Sequence, residues 1–343
     1  MKSLLIVAGE YSSHVYAEKI IELIGYKINI FYVSPFLSEQ VQTKILLNGL
    51  SEIGFGNLPN RIAKALNFKK QILELVRTER IENALLIDFP GFNLPLAKSL
   101  KKNNSKVFYF IAPKFWIWNY KRVEQLKNFT DCVFSIFPFE NEILKKENVK
   151  SLYCGNVSKI LVEDFKTKPK DIDLLILAGS REAEVKNFFN KFDITKILKS
   201  VKFQISALEH LKEFYPNTEN LNFGNSLELL ARSKKAIVTS GTATLETALL
   251  GIPQVVVYDP NWLTFQIGKN ILKIPFVALP NILLKKKVVP ELLSEDFSTE
   301  NVLKSLEEIN LSNSILVKDE LADLLGNQNP FKIVANELLV SLT

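Results

Sequence analysis

The chain of 343 residues has two cysteines, two histidines and one methionine. Cys132 and Cys154 do not make a zinc set, and both lie in apolar, strand-like runs. A disulfide scaffold is therefore excluded, and a reduced cytoplasmic protein is the simple reading. No apolar run reaches the ~18 residues of a membrane span. The nearest approach, 107–118, is broken by Pro113 and Lys114. The apolar stretch 4–8 is too short for a signal-peptide core and runs into Gly9-Glu10, so it reads as a buried first strand. Short-period repeats and low-complexity segments are missing. With 47% apolar and 23% charged residues the composition is that of a globular protein, which excludes disorder and collagen-like structure. Lys and Arg (43) outnumber Asp and Glu (37), a formal net charge of +6. That excess is modest and diffuse. It suits an anionic substrate or a membrane surface and argues against nucleic acid.

Short apolar runs alternate with helical patterns. Strands are predicted at 4–8, 29–33, 84–88, 107–111, 131–136 and 151–154, and helices at 62–77, 94–100 and 140–146. The polar segment 163–170, EDFKTKPK, reads as a linker. The alternation then resumes, with strands at 173–178, 201–206, 236–239 and 254–258 and helices at 226–232, 242–250 and 262–272. Continuous apolar strands alternating with helices predict parallel sheets covered on both faces, an α/β class. Two α/β domains are expected, 1–165 and 166–325, with a ligand cleft between them and a final helix at 326–343 packing back on the first. Ligands of open α/β sheets lie beyond the carboxyl ends of the strands.

Several strand ends carry chemistry. In 239–246, TSGTATLE, Ser240, Gly241 and Thr242 can hold a phosphate at a helix N-terminus, and Glu246 can accept two ribose hydroxyls. The same pattern also reads as a helix cap. Gly179, Ser180 and Arg181 end another strand, and Arg181 suits a bidentate phosphate contact or a solvated surface. Gly9-Glu-Tyr-Ser-Ser-His14 follows the first strand. His14 is a general-base candidate or a partly exposed histidine. Asp88 ends a strand before Phe89-Pro90, where it can deprotonate a sugar hydroxyl or cap the next helix. From 108 to 122 seven aromatics stand beside three cations. This reads as an interfacial anchor built on Phe115, Trp116, Trp118, Lys121 and Arg122, as a stacking platform, or for 108–111 as core.

These motifs, in order, are GEYS, IDFPGFNLPLAKSLKK, IAPKFWIWNYKRVEQLK, SIFPFE, YCGN, AGSREAEV, SGTATLETALLGIPQVVVY and LPNILLKKKVVPELL. Together they resemble the lipid-A-disaccharide synthase family, from Ile6 to about Leu293. The resemblance implies a GT-B glycosyltransferase fold, two Rossmann-like domains facing a cleft, and inverting transfer of 2,3-diacylglucosamine from UDP to the 6-hydroxyl of 2,3-diacylglucosamine 1-phosphate. It implies no metal and no cofactor, positive groups and helix N-termini taking the leaving charge. On that reading Asp88 is the base, with His14 as substitute. Gly179, Ser180, Arg181, Ser240, Gly241, Thr242, Glu246, Asn281 and Glu291 bind the donor. Glu10 and Ser12, with the aromatic-basic strip, face the acceptor and membrane. The expected location is the cytoplasmic face of the inner membrane of a Gram-negative-type bacterium, held peripherally, with a homodimer left open.

The chain departs from the family pattern in four places. Ser13 and His14 replace Gly and Asp of G-E-x-S-G-D, Gly91 replaces an Asp, Asn156 replaces a His, and Leu284 to Lys287 replace A-G-R-E. These departures leave room for a catalytically silent UDP-sugar- and lipid-binding paralogue, or for another UDP-sugar transferase or epimerase.

Overall fold

A computed structural model describes residues 2–47, 58–165, 168–199, 201–259 and 276–342. The helix expected at 262–272 lies outside them. The chain forms two compact units, one of residues 1–156 and 328–343 and the other of residues 157–327.

The first unit is built on β1 (Ser3–Ala8), β2 (Asn29–Ser34), β3 (Thr43–Leu46), β4 (Asn83–Ile87), β5 (Lys106–Phe110), β6 (Cys132–Ser135) and β7 (Ser151–Tyr153). They make one all-parallel sheet in the order β3-β2-β1-β4-β5-β6-β7. β1, β4 and β5 are almost wholly buried, so both faces must be covered and their sequences are continuously apolar. The covering helices include Tyr11–Ile24, Leu58–Thr78, Pro90–Lys102 and Pro138–Lys146. Another is the helix Pro330–Leu342, whose Phe331 ring lies 6.1 Å from Tyr16 and 6.4 Å from Phe110.

The second unit repeats the plan with β8 (Ile172–Leu177), β9 (Phe203–Ser206), β10 (Leu221–Asn222), β11 (Ser233–Thr239), β12 (Gln254–Tyr258) and β13 (Glu291–Leu293). Their order is β10-β9-β8-β11-β12-β13, again all parallel. Its larger apolar cluster joins Ile176, Phe188, Ile205, Ile237, Val257 and Val302.

The division falls after Asn156, earlier than the expected break at 165. Asn156 donates to the Ile136 carbonyl at 3.1 Å and so belongs to the first sheet. The helix Val157–Leu161 packs on the helix Thr242–Leu249, and Lys159 donates to Ala322 O at 2.8 Å and to Asn327 Oδ1 at 3.0 Å. Residues 163–165, expected in the linker, lie in a 3-10 turn, Val162–Phe165, of the second unit.

Each sheet reverses its winding once. In the first the reversal separates β1 from β4, and in the second β8 from β11. At such a switch point two loops leave the sheet side by side and open a crevice. Those loops are Gly9-Glu10 and Asp88-Phe89 in one unit, and Gly179–Arg181 and Ser240–Thr242 in the other.

Candidate active site

In the first unit, β1 and β4 pair with Ala8 opposite Ile87, so Gly9 and Asp88 emerge as neighbours. Asp88 and Phe89 both adopt left-handed backbone, φ 46° and 48°. For non-glycine residues this is strained, and it holds only where the surroundings fix it. The fixing bonds are present. Asp88 N–H donates to Phe110 O (2.8 Å), and the Asp88 carbonyl accepts from Tyr109 Oη (2.7 Å) and Asn93 Nδ2 (2.8 Å).

The backbone of Asp88 is thus tied down on all sides. Its carboxyl is pushed up to about 6, first by burial and then by the nearby Glu10 carboxylate; Lys114, the Phe89 N–H and Arg122 oppose the rise. Burial lowers Arg122, and Tyr109 and Asp88 counter it. Arg122, expected in a membrane strip, therefore stands in the field of Asp88. A carboxyl of this kind is a base over the neutral range, with cations at hand to steady its charge.

His14 is not on a loop. It lies in the first turn of the helix Tyr11–Ile24, with Nδ1 2.8 Å from Tyr32 Oη and its ring 5.3 Å from Phe36. Glu10 is the N-cap of that helix, and Ser12 is partly buried within it. Ser13 is buried and its Oγ has no hydrogen-bond partner.

The expected membrane strip is corrected by burial. Phe115 is 0% and Trp116 1% exposed. Phe115 packs edge-on against Tyr120, and Trp116 lies edge-on to Phe139 while donating from Nε1 to Glu140 Oε1 at 2.8 Å. Their apolar area is already spent inside the first unit, so neither can enter a bilayer. Lys121 is exposed. The Trp118 side chain lies outside the described residues.

In the second unit Gly179 has φ +118°, a conformation that favours glycine, and a Cβ there would meet Glu184 Oε2 at 2.7 Å. Arg181 is the N-cap of the helix Glu182–Lys191. Glu184 Oε2 accepts from Ser180 N (2.9 Å) and Arg181 N (3.2 Å), and Oε1 accepts from Arg181 Nη1 (2.7 Å). A carboxylate thus occupies the donors of this turn, while the Arg181 side chain remains 76% exposed.

The facing turn is built differently. Ser240 donates from Oγ to Val277 O at 2.8 Å, and no side chain caps the helix Thr242–Leu249. Gly241 has φ 167°, which is extended backbone, so the turn does not depend on a glycine there. Thr242 is exposed. One turn on, Glu246 accepts from Ser158 Oγ at 3.3 Å, and burial raises its carboxyl.

Asn281 does not fit the expected donor role. It is fully buried, its Nδ2 donates to Val289 O and Glu291 Oε1, and its Oδ1 accepts from Val288 N and Val289 N. Both donors and the acceptor are used, so it is a structural tie. Glu291 Oε1 also accepts from Val277 N (3.1 Å) and Ala278 N (2.8 Å), and burial raises its carboxyl.

The sequence reading did not single out Glu184, Lys114 or Glu140. A Glu three residues past an N-cap is a capping-box signal, which was there to be read at 184. No local pattern marks the other two. Among the described residues no three His, Cys, Asp or Glu side chains gather as a metal site would require.

Known proteins resemble this chain in sequence and in fold. The family described as Lipid-A-disaccharide synthetase matches residues 4–325. The chain is 31% identical to the lipid-A-disaccharide synthase of Aquifex aeolicus, covering 94% of both chains. It is 32% identical to that of Sulfurihydrogenibium sp., covering 86% of this chain and 85% of the relative. Among solved structures, S. aureus MnaA with UDP matches with TM-score 0.68 at 12% identity, covering 100% of this chain and 98% of that one. UDP-GlcNAc 2-epimerase from Neisseria meningitidis, bound to UDP-GlcNAc, matches with TM-score 0.67 at 12% identity over 99% and 100%. At that identity the structures speak for the GT-B fold, whereas the sequence matches span the whole site-bearing region. This chain belongs to the lipid-A-disaccharide synthase family.

Proposed function

We propose that this chain is an inverting glycosyltransferase, moving 2,3-diacylglucosamine from UDP to the 6-hydroxyl of 2,3-diacylglucosamine 1-phosphate. The products are the β-1,6-linked disaccharide 1-phosphate and UDP. The observation that carries the reading is Asp88, a carboxyl raised to about 6 at the switch point of the first sheet, in a chain of this family.

Each step falls to named groups. Asp88 takes the proton of the acceptor hydroxyl as its oxygen bonds to the anomeric carbon of the donor. The anomeric C–O bond to phosphate breaks, and its electron pair leaves on the diphosphate of UDP. Arg181 and the uncapped N–H groups at Thr242 and Ala243 neutralise that charge, as a cation and a helix N-terminus do for anions. Glu246 accepts the ribose hydroxyls, and Glu291 braces the 277–278 backbone beside Ser240.

Peripheral attachment to an anionic membrane falls to the helix Leu58–Thr78 rather than to Phe115 and Trp116. Ile62 and Leu66, one turn apart, are 53% and 60% exposed. Residues 58–73 carry four basic residues and no acid. An apolar ridge flanked by cations is an interfacial helix.

Purified protein with both lipid substrates, followed by thin-layer chromatography, tests the activity. Disaccharide phosphate and UDP are expected. Intact substrates after incubation, with UDP still binding, would replace the enzyme by a silent binding protein; epimerised donor without acceptor would make it an epimerase.

A further inference from the structure

Asn93 is a fully buried amide whose Oδ1 has no hydrogen-bond partner. A bare buried acceptor costs free energy that an apolar side chain would avoid. What the amide supplies is its other end. Nδ2 donates to Ile87 O at 3.1 Å and to Asp88 O at 2.8 Å, two carbonyls in succession.

Successive carbonyls of an extended strand point to opposite edges, so one amide group cannot reach both. They converge only where the chain leaves the extended form, as Asp88 does with φ 46°. The amide and the left-handed turn therefore specify each other. Asn93 stands one turn into the helix Pro90–Lys102, with its own N–H bonded to Phe89 O at 3.0 Å. Its side chain reaches back over the helix start to the end of β4. Phe89, the N-cap, supplies no side-chain cap and is itself left-handed. From β5 the Tyr109 hydroxyl donates to the same Asp88 carbonyl at 2.7 Å. That oxygen thus takes one donor from the helix that follows it and one from the strand beside it. Two left-handed non-glycine residues in a row are strained and persist only while held. Release of the Asp88 carbonyl lets the peptide between 88 and 89 turn, and the aim of the carboxyl turns with it.

We propose that Asn93 and Tyr109 are positioning residues for Asp88, their three hydrogen bonds holding the left-handed turn that aims its carboxyl. This rests on Asp88 being the base. Both side chains are fully buried, so they act through Asp88 and not on the substrate. A purely structural pair makes a different prediction: its loss would lower stability and leave the turnover of the folded protein as it was.

The test is kcat and KM for the wild type, Asn93→Ala, Tyr109→Phe, Asp88→Asn, and Asp88→Asn combined with each of the first two. Melting curves show which variants are folded. Asn93→Ala should lower kcat about 10–100-fold, the effect of a reacting group displaced by ~1 Å, with KM for both lipids changed less than about threefold. Tyr109→Phe leaves the amide in place and should lose about 3–10-fold, the worth of one neutral hydrogen bond. Asparagine tolerates left-handed backbone, so Asp88→Asn removes the base and keeps the turn. On that background neither substitution should lower kcat by more than about twofold. A folded Asn93→Ala with wild-type kcat overturns the inference. So does a loss of equal size with and without the Asp88 carboxylate, which would mean that Asn93 acts elsewhere. If Asn93→Ala does not fold, Tyr109→Phe decides in the same two ways. Asp88→Asn with full activity refutes Asp88 as the base, a failure read from that variant alone.

Discussion

The ring of Phe89 fills the space that a side chain on Gly9 would need, since a Cβ built there lies 2.3 Å from Phe89 Cδ1. The loops after β1 and β4 are therefore interlocked at the point where Asp88 leaves the sheet. Gly9→Ala should destabilise by ~1–3 kcal/mol, as overpacking does, and lower turnover by displacing Phe89 and with it Asp88. Gly241→Ala is the matched control, because its nearest obstacle is Thr239 O at 4.0 Å. It should stay within ~0.5 kcal/mol of the wild type. Thermal denaturation of both variants, alongside kcat, checks the pair.

Asp88→Asn should reduce kcat by ~10²–10⁴, the range of a lost general base, while UDP affinity by calorimetry stays unchanged. The active form is the carboxylate, so below about 6 the wild-type log kcat/KM should fall with unit slope as pH drops. A variant that retains full activity moves the base assignment to His14.

Arg181→Ala should weaken UDP binding by ~10–100-fold, the worth of a lost charge-assisted contact. Glu184→Gln should act in the opposite direction. Its carboxylate holds the Ser180 and Arg181 N–H groups and pairs with the guanidinium, competing with any incoming anion. UDP should bind more tightly to that variant. Its helix should lose up to ~1 kcal/mol of capping stability. Calorimetry and thermal melts separate the two effects.

Glu140 links stability to pH. Its folded value, about 8, lies above its ordinary value of 4.5. Between these limits the native state holds a proton that the unfolded chain releases. Stability therefore falls as pH rises through that window, by up to ~1.4 kcal/mol per unit, and the slope ends above about 8. Glu140→Gln removes the slope. Urea unfolding at pH 5 and pH 8 should show the variant gaining on the wild type at the higher pH.

Replacing Ile62 and Leu66 together by glutamate should abolish flotation with vesicles rich in anionic lipid, while UDP binding persists. Raising the salt should weaken wild-type binding, since each Lys near the surface contributes ~1 kcal/mol through a screened attraction. Flotation that survives both treatments would remove the helix Leu58–Thr78 from the membrane reading.

The sheets were legible because buried parallel strands are written as unbroken apolar runs. β1 as SLLIVA and β12 as QVVVY could be nothing else, and the helix Ser226–Arg232 matched residue for residue. β3, β10 and β13 were missed. They are edge or near-edge strands of two to four residues, partly exposed, with no apolar run to betray them. The helix Tyr11–Ile24 was not predicted, since Gly9 announces a turn but not how soon a helix begins. Of the candidate site, the strand ends that carry Asp88, Gly179 and Arg181 were legible, because the apolar runs before them stop there. The site was misread where only packing decides. Trp116 and Phe115 carry the composition of a membrane anchor, and nothing along the chain says that Phe139, Tyr120 and Glu140 already enclose them. Asn281 looked like a ligand-binding amide because its four hydrogen bonds, all to residues 288–291, are invisible before folding.

The helix Pro330–Leu342 completes the core around Tyr16 and Phe110, yet every residue of the second unit precedes it in sequence. During synthesis the amino-terminal sheet must wait, with that hydrophobic seam uncovered, until the other unit has already emerged from the ribosome. The half that is translated first is thus unable to close its core before all of the other half has been made.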